Sequence, residues 1–325
     1  MKKILYSPGE PSGIGPDLII QLCSLPFWEK IKIPIVCIAD KKLIEDRALL
    51  LKQKIKVCTI DNLDNINSNK IGTIQVKEIS KCRNTKPGKL YKSNAVYVLK
   101  NLDFGIDQSL NSKTALVTGP ISKENIISLK SNFSGHTEYI QQRTGSKDVL
   151  MLLGSKKLKV AIATTHVPLK KVPKLITERL IINKVTILHN ELVSKFKIQE
   201  PRIKLLGLNP HAGEGGKIGT EEKNVLEPAV IKLRENNINV SMPMSADTAF
   251  TSKILQETDA YLGMYHDQVL PVIKALSFGS SINITLGVPI IRTSVDHGVA
   301  LDIAGSGKAD VASFQEALRA AKKII

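Results

Sequence analysis

Five of the six histidines in this 325-residue chain fall where a strand or helix end would present them to a ligand. KVAIATTHVP ends in His166, IKLLGLNPHAGEGG reaches His211 and DAYLGMYHDQ reaches His266, each read as lying within a residue or two of a strand's carboxyl end. Ligands of open α/β sheets collect outside those ends. Three imidazoles brought to one edge would hold a divalent metal and leave a position open for water or substrate. Taken singly, each is more often a hydrogen-bonded loop histidine, and only the recurrence of three raises the metal reading to equal weight. His136 lies in FSGHTEYIQQRTG, where Thr137 is expected to cap a helix that Gly145 ends. Free N–H groups there, with His136 and Thr137, would suit a phosphate or carboxylate, and a simple capped turn reads equally well. A later segment, HDQVLPVIKALSFGSSINITLGVPIIRTSVDHG, carries Lys274, Asn283 and Arg292. Arg292 is read as closing the apolar run VPII at a strand end, and its guanidinium suits bidentate recognition of an oxyanion. Asp296 and His297 close the segment as acid, base or loop hydrogen bonders. His189 lies beside an apolar helical stripe and receives no role.

The glycines argue against the two common nucleotide loops. GEPSGIGP has Gly13 and Gly15 but Leu18 where the third glycine of a Rossmann fingerprint would fall. Gly213, Gly215 and Gly219 are also off that spacing, and GSGKAD lacks both the upstream glycine of a P-loop and a Ser or Thr after Lys308. Cys23, Cys37, Cys58 and Cys82 form no CxxC pair, so a zinc knuckle is excluded and buried, reduced thiols are expected.

The elements that must position these groups alternate. ILYS, PDLIIQLCSL, IPIVCIAD, KKLIEDRALLLK and KVCTI, then GTIQVKEI, YKSNAVYVLKNLDFGI and TALVTGP, read as strand and helix in turn, which implies a mostly parallel sheet. DVLMLLG and LKVAIATTH flank a Gly154-Ser155 turn and form an antiparallel hairpin, so the sheet is mixed. Thr177 caps a helix whose Ile181, Val185, Leu188, Leu192 and Phe196 follow a 3.6-residue period and pack on the sheet. QEALRAAKKII is helical and returns to the first domain. With no Gly-, Ser- or Pro-rich linker, the expected division is residues 1–128 with 305–325, and 129–304 carrying the three candidate metal ligands.

Lys and Arg number 46 against 30 Asp and Glu, a net +16. The cations are scattered, aromatics are only 4%, and no basic run alternates with aromatics, so a nucleic-acid partner is not expected. Hydrophobic residues at 42% and charged at 23% exclude a disordered chain. Apolar runs break before the about 18 residues of a membrane span, and MKKILYSPGE turns polar after Tyr6, so it reads as a first strand of a cytoplasmic protein.

GEPSGIGPD, TGPISK, FSGHTE, ATTHVPL, LNPHAGEGG, SADTAF, MYHDQ, FG followed by NITLG, and IRTSVDHG occur in that order from Gly9 to about Gly305. Together they resemble the 4-hydroxythreonine-4-phosphate dehydrogenase family of pyridoxal phosphate biosynthesis. The resemblance implies two α/β/α domains with mixed, mostly parallel sheets, like isocitrate and isopropylmalate dehydrogenases, and an active site in the cleft. It also implies NAD or NADP as oxidant and one divalent metal per site in a homodimer with a shared active site. The family's metal ligands fall on His166 and His211 of one subunit and His266 of the other, and its substrate contacts on His136, Thr137, Lys274, Asn283 and Arg292. Imidazole ligation favours zinc or cobalt, with magnesium a third candidate. Asp247, Asp267 and a metal-bound water are candidate proton acceptors. Two departures stand out: Ser245 replaces a usual proline, and Ser280-Ser281 replace a more usual Gly or Arg. The rival readings are a dehydrogenase of a four-carbon sugar-acid 4-phosphate, a zinc hydrolase and a basic nucleic-acid-binding protein.

Overall fold

The computed structural model describes residues 1–130, 133–155, 157–277 and 281–325. Ser280 and the Phe278-Gly279 pair quoted above lie outside the described residues. The described strands are β1 (Lys3–Ser7), β2 (Ile35–Ile38), β3 (Lys56–Thr59), β4 (Thr73–Lys77), β5 (Thr114–Thr118), β6 (Leu150–Gly154), β7 (Lys159–Thr164), β8 (Ile203–Leu205), β9 (Ala260–Tyr265), β10 (Ile282–Leu286) and β11 (Ile291–Val295). They belong to two compact units, Met1–Gly145 with Val288–Ile325, and Ser146–Gly287.

In the first unit the order is β3-β4-β2-β1-β5-β11 and every pairing is parallel. Parallel strands covered on both faces are apolar at their centres, and KILYS, IVCI and TALVT are buried at every position, with the polar residues of KILYS and TALVT at the strand ends. Helix Gly15–Cys23 buries Leu18, Ile19, Ile20 and Leu22. Helix Lys41–Leu50 starts where the Asp40 side chain accepts from Lys42 N at 2.9 Å. Helix Asn94–Ser109 approaches the sheet closely at Gly105, where a β-carbon would come within 2.7 Å of Leu116 Cδ1. As expected, the closing helix Ala312–Ile324 packs back on this unit, against β11, β5 and β1, with the Phe314 and Tyr6 rings 4.4 Å apart.

In the second unit the order is β10-β6-β7-β9-β8. The expected hairpin is present: β6 pairs antiparallel with β7, and with β10 on its other side, whereas β7-β9 and β9-β8 are parallel. The sheets are therefore mixed but mostly parallel. Thr177 accepts from Leu180 N at 3.2 Å to open helix Glu178–Ser194, and Ile181, Val185, Leu188 and Leu192 are buried along one face. Phe196 is not on that stripe. The helix ends two residues before it, and the half-buried ring has Lys159 Nζ 5.9 Å from its centre.

The units change at Gly145/Ser146 and Gly287/Val288, not at the expected 128/129 and 304/305. Two tertiary contacts account for the difference. Helix His136–Thr144 is tied to helix Asn94–Ser109 through Tyr139 and Asp103 (2.7 Å) and Arg143 and Asp107 (2.7 Å), and β11 is the parallel neighbour of β5. All four cysteines are free. Cys23 and Cys37 are buried, and burial pushes the Cys23 thiol up to about 12. Cys58, on the edge strand β3, and Cys82 depart from expectation in being only half-buried. Among the described residues no helix is long and apolar enough to cross a membrane.

Candidate active site

In the first unit the segments after β1 and β5 meet backbone to backbone. A β-carbon on Gly15 would lie 1.9 Å from Pro8 O, and one on Gly9, at φ +79°, would lie 2.1 Å from Pro120 O. These glycines permit close approach of the two chain segments, which a β-carbon at either position would block. A fully buried ion pair holds the same segment: Arg47 Nη1 donates to Asp17 Oδ1 at 2.6 Å and to Gly13 O at 2.9 Å, while Nη2 donates to Pro11 O at 2.8 Å. The second Asp17 oxygen accepts from Gly305 N at 2.7 Å, so one carboxylate ties the first turn of helix Gly15–Cys23 to the segment after β11. Glu10, 1% exposed, accepts from Ser12 N (3.2 Å) and Asn125 Nδ2 (3.0 Å), and burial raises its pKa. Sequence reasoning missed Glu10 and Asn125. The motifs GEPSG and TGPISKEN contain or flank them, but spacing assigns neither a role.

Arg292 is not at a strand end. It is the second residue of β11, 3% exposed, in register with Leu116, and its Nε and Nη2 donate to Thr118 Oγ1 at 3.1 and 2.7 Å. The side chain therefore runs along the sheet to the carboxyl end of β5. Burial pulls its pKa down to about 10, with Glu138 opposing, so it stays charged at neutral pH. The helix after it in space begins at His136 itself, capped by extended Gly135, so Thr137 lies in the first turn and is not the N-cap. Gly145 ends this helix at φ 65° as expected. Burial, then the charges of Arg292 and Lys123, hold the half-buried His136 imidazole well below its usual range. Lys123, inside TGPISK, was missed because a lysine that opens a five-residue helix, five positions beyond β5, carries no spacing signal.

This depressed value has a testable sign. The unfolded histidine titrates near about 6.5, so the stability contributed by neutral His136 is complete above that pH and is lost as pH falls toward the folded value. Urea midpoints should fall between about pH 7 and 5, and His136→Asn should flatten the slope. An unchanged slope would show that His136 does not carry it.

In the second unit His166 lies two residues beyond β7, and His266 directly follows β9 and opens helix His266–Ser277. Because β7 and β9 are parallel neighbours with Thr164 opposite Tyr265, the two rings come to 5.7 Å between centres. His266 Nδ1 is 2.9 Å from Asp267 Oδ1. His211 differs from expectation: β8 ends at Leu205, and the histidine sits six residues on, in a turn whose residues 211–215 all have φ between 43° and 78°. Left-handed backbone costs roughly 1–2 kcal/mol per non-glycine residue, so this turn needs external support. The Ser245 hydroxyl donates to Asp247, which chiefly keeps that carboxylate below its usual pKa, and the charge of His211 adds to the effect. The Ser245 departure thus has a direct chemical partner.

Among the described residues, no three His, Cys, Asp or Glu side chains of this single chain are grouped closely enough to hold a metal. His166 and His266 form a pair of imidazoles of the right donor type, and His211 is apart from them. Lys274 is exposed in helix His266–Ser277. Asn283 lies in β10 opposite Leu153, with Nδ2 3.2 Å from Met151 Sδ, and its buried Oδ1 has no hydrogen-bond partner. His297 follows β11 with a buried Nε2 that likewise lacks one.

The family model described as pyridoxal phosphate biosynthetic protein PdxA matches residues 30–321. The chain is 43% identical over 325 residues to the 4-hydroxythreonine-4-phosphate dehydrogenase of Enterobacter sp. (strain 638), covering 100% of this chain and 98% of the relative. It is 45% identical over 320 residues to the protein of that name from Colwellia psychrerythraea (strain 34H), covering 98% and 96%. The crystal structure of 4-hydroxythreonine-4-phosphate dehydrogenase from Klebsiella pneumoniae matches with a TM-score of 0.90 at 30% identity, covering 100% of this chain and 99% of that one. A model match over most of the chain and full-length relatives above two-fifths identity place this chain in the PdxA family of pyridoxal phosphate biosynthetic proteins.

Proposed function

We propose that this chain is an NAD- or NADP-dependent 4-hydroxythreonine-4-phosphate dehydrogenase. It oxidises the C3 hydroxyl of 4-phosphohydroxy-L-threonine and releases CO₂ to leave 3-amino-2-oxopropyl phosphate. The observation that carries this reading is the full-length identity of 43–45% to proteins of that name. The C3 hydrogen leaves with its electron pair for the nicotinamide, the hydroxyl proton goes to a base, and the resulting β-keto acid loses its carboxylate before a proton returns to C2. When bound, a divalent metal supplies Lewis acidity at the substrate hydroxyl, and the nicotinamide takes the hydride. His166 and His211 of one subunit and His266 of a second copy would hold that metal, with zinc or cobalt preferred over magnesium by imidazole donors.

The chain's own groups do the rest. Arg292, its guanidinium oriented by Thr118, and Lys274 hold the anionic ends of the substrate, joined by His136 and Thr137. The unpartnered Oδ1 of Asn283 accepts from a substrate donor. Asp267 on His266 Nδ1 leaves the other ring nitrogen free to ligate, so Asp267 orients, and Asp247, ionised beside His211, is left to receive the hydroxyl proton.

Incubation with the phosphorylated substrate should produce reduced cofactor and CO₂ in equal amounts with either NAD or NADP. A faster reaction with the four-carbon sugar-acid 4-phosphate would replace the substrate assignment, and phosphate release without cofactor reduction would replace the dehydrogenase with a hydrolase. Arg292→Ala removes a charged hydrogen bond of roughly 1.5–3 kcal/mol and should cost about ten- to over a hundredfold in kcat/KM. An unchanged kcat/KM in folded protein would remove Arg292 from the site.

A further inference from the structure

Glu222 is among the few fully buried carboxylates outside the groups discussed so far, 3% exposed, at the start of the turn of helix Glu222–Leu226. Its Oε1 accepts from Leu208 N at 2.7 Å and from Asn209 N at 2.8 Å, and its Oε2 accepts from Asn209 Nδ2 at 2.9 Å. The residues it grips are those that lead into the left-handed turn of His211. Asn209 O in turn accepts from Ala212 N at 3.1 Å. The same carboxylate packs on the turn from the other side: a β-carbon on Gly213 would lie 2.6 Å from Glu222 Oε2. Three of the four residues from 211 to 214, His211, Ala212 and Glu214, are non-glycine and hold positive φ, a conformation that persists only where surrounding structure over-determines it. A buried charge accepting three N–H bonds around a strained turn supplies that constraint.

We propose that Glu222 is a positioning residue that fixes the backbone of residues 208–213 and thereby the direction in which His211 is presented. It touches no substrate and acts only through His211. The assignment rests on the role given to His211 above only in its consequence for metal binding, because the placement of the ring can be measured without metal.

The chain has six histidines, few enough to resolve by NMR after labelling at ring Cε1, with the His211 signal identified by its loss in His211→Ala. In metal-free full-length protein, Glu222→Ala should displace the His211 resonance by more than its linewidth and leave those of His136, His189 and His297 in place. Glu222→Gln, which keeps an acceptor oxygen for the amides of Leu208 and Asn209, should return it most of the way. Cobalt titration should then show affinity about tenfold or more weaker in Glu222→Ala and largely restored in Glu222→Gln. If Glu222→Ala does not fold, Asn209→Ala, which removes one of the three donors, must shift the same resonance by a smaller amount. An unmoved His211 signal overturns the assignment, as does an equal displacement of all the histidines, which would make Glu222 a residue of general stability. If the His211 signal moves but His211→Ala leaves cobalt affinity untouched, the positioning role stands and the metal reading falls.

Discussion

Mixing His166→Ala with His266→Ala subunits, each more than about a hundredfold impaired alone, should restore activity to about a quarter of wild type once subunits exchange. The arithmetic follows from two-fold symmetry. Random exchange makes about half of the dimers mixed, and each mixed dimer has one site with both defects and one with none. The structural motive for completing the site with a second copy is that one chain groups no three metal-binding side chains among its described residues, whereas the 5.7 Å between its own His166 and His266 rings favours the other division of the ligands. If instead His166 and His266 of one chain act together with His211 of another, recovery moves to mixtures containing His211→Ala. No recovery in any mixture, with exchange confirmed by mass, would refute a shared site. Chelation should abolish activity in the parent protein, and zinc or cobalt should restore it better than magnesium. Full turnover without metal would remove the metal from the reading.

Arg47→Ala should be the most destabilising single change outside the chemistry, by about 3–5 kcal/mol, because it leaves the carboxylate of Asp17 buried and unpaired. It also orphans the carbonyls of Gly13 and Pro11, which the guanidinium now satisfies. Replacing both partners, Arg47→Met with Asp17→Leu, should recover only part of the loss. The charge problem disappears, but Gly305 N and the two carbonyls stay without partners at roughly 1–3 kcal/mol each where water does not reach them. Guanidinium denaturation of the two variants checks this. A loss below about 1 kcal/mol in Arg47→Ala would mean that the pair is accessible to water.

Alternation of apolar runs and helical stripes was enough to foresee that the sheet of the first unit is parallel, though not its strand order, because a strand buried on both faces cannot hide its composition. The β6–β7 hairpin was legible for a similar reason, a Gly-Ser turn between two apolar runs. Thr177 and Gly145 were legible because caps answer to local backbone geometry. His166 and His266 could be placed at strand ends from short-range pattern, since only one or two residues separate each from its strand.

Local pattern failed wherever the answer depended on what comes near in space. The change of unit at Gly145/Ser146 was hidden because it follows from Tyr139 and Arg143 reaching Asp103 and Asp107, some 36 residues earlier in the chain. Arg292 read as a strand end because nothing in VPIIRTSV reveals that the strand begins at Ile291, which pairing with β5 decides. His211 was expected next to its strand, but β8 is cut to three residues and the left-handed turn that follows is held by Glu222, eleven residues later and invisible to spacing. Sequence by itself therefore determined which residue types reach the ligand edges and the class of fold that carries them, since periodicity and turn chemistry are written locally. Tertiary structure alone decided which buried charges pair, how burial and then the charges of Arg292 and Lys123 hold down the proton affinity of His136, and that one chain brings together only His166 and His266 of the three candidate histidines, because those outcomes depend on distances between elements remote in sequence.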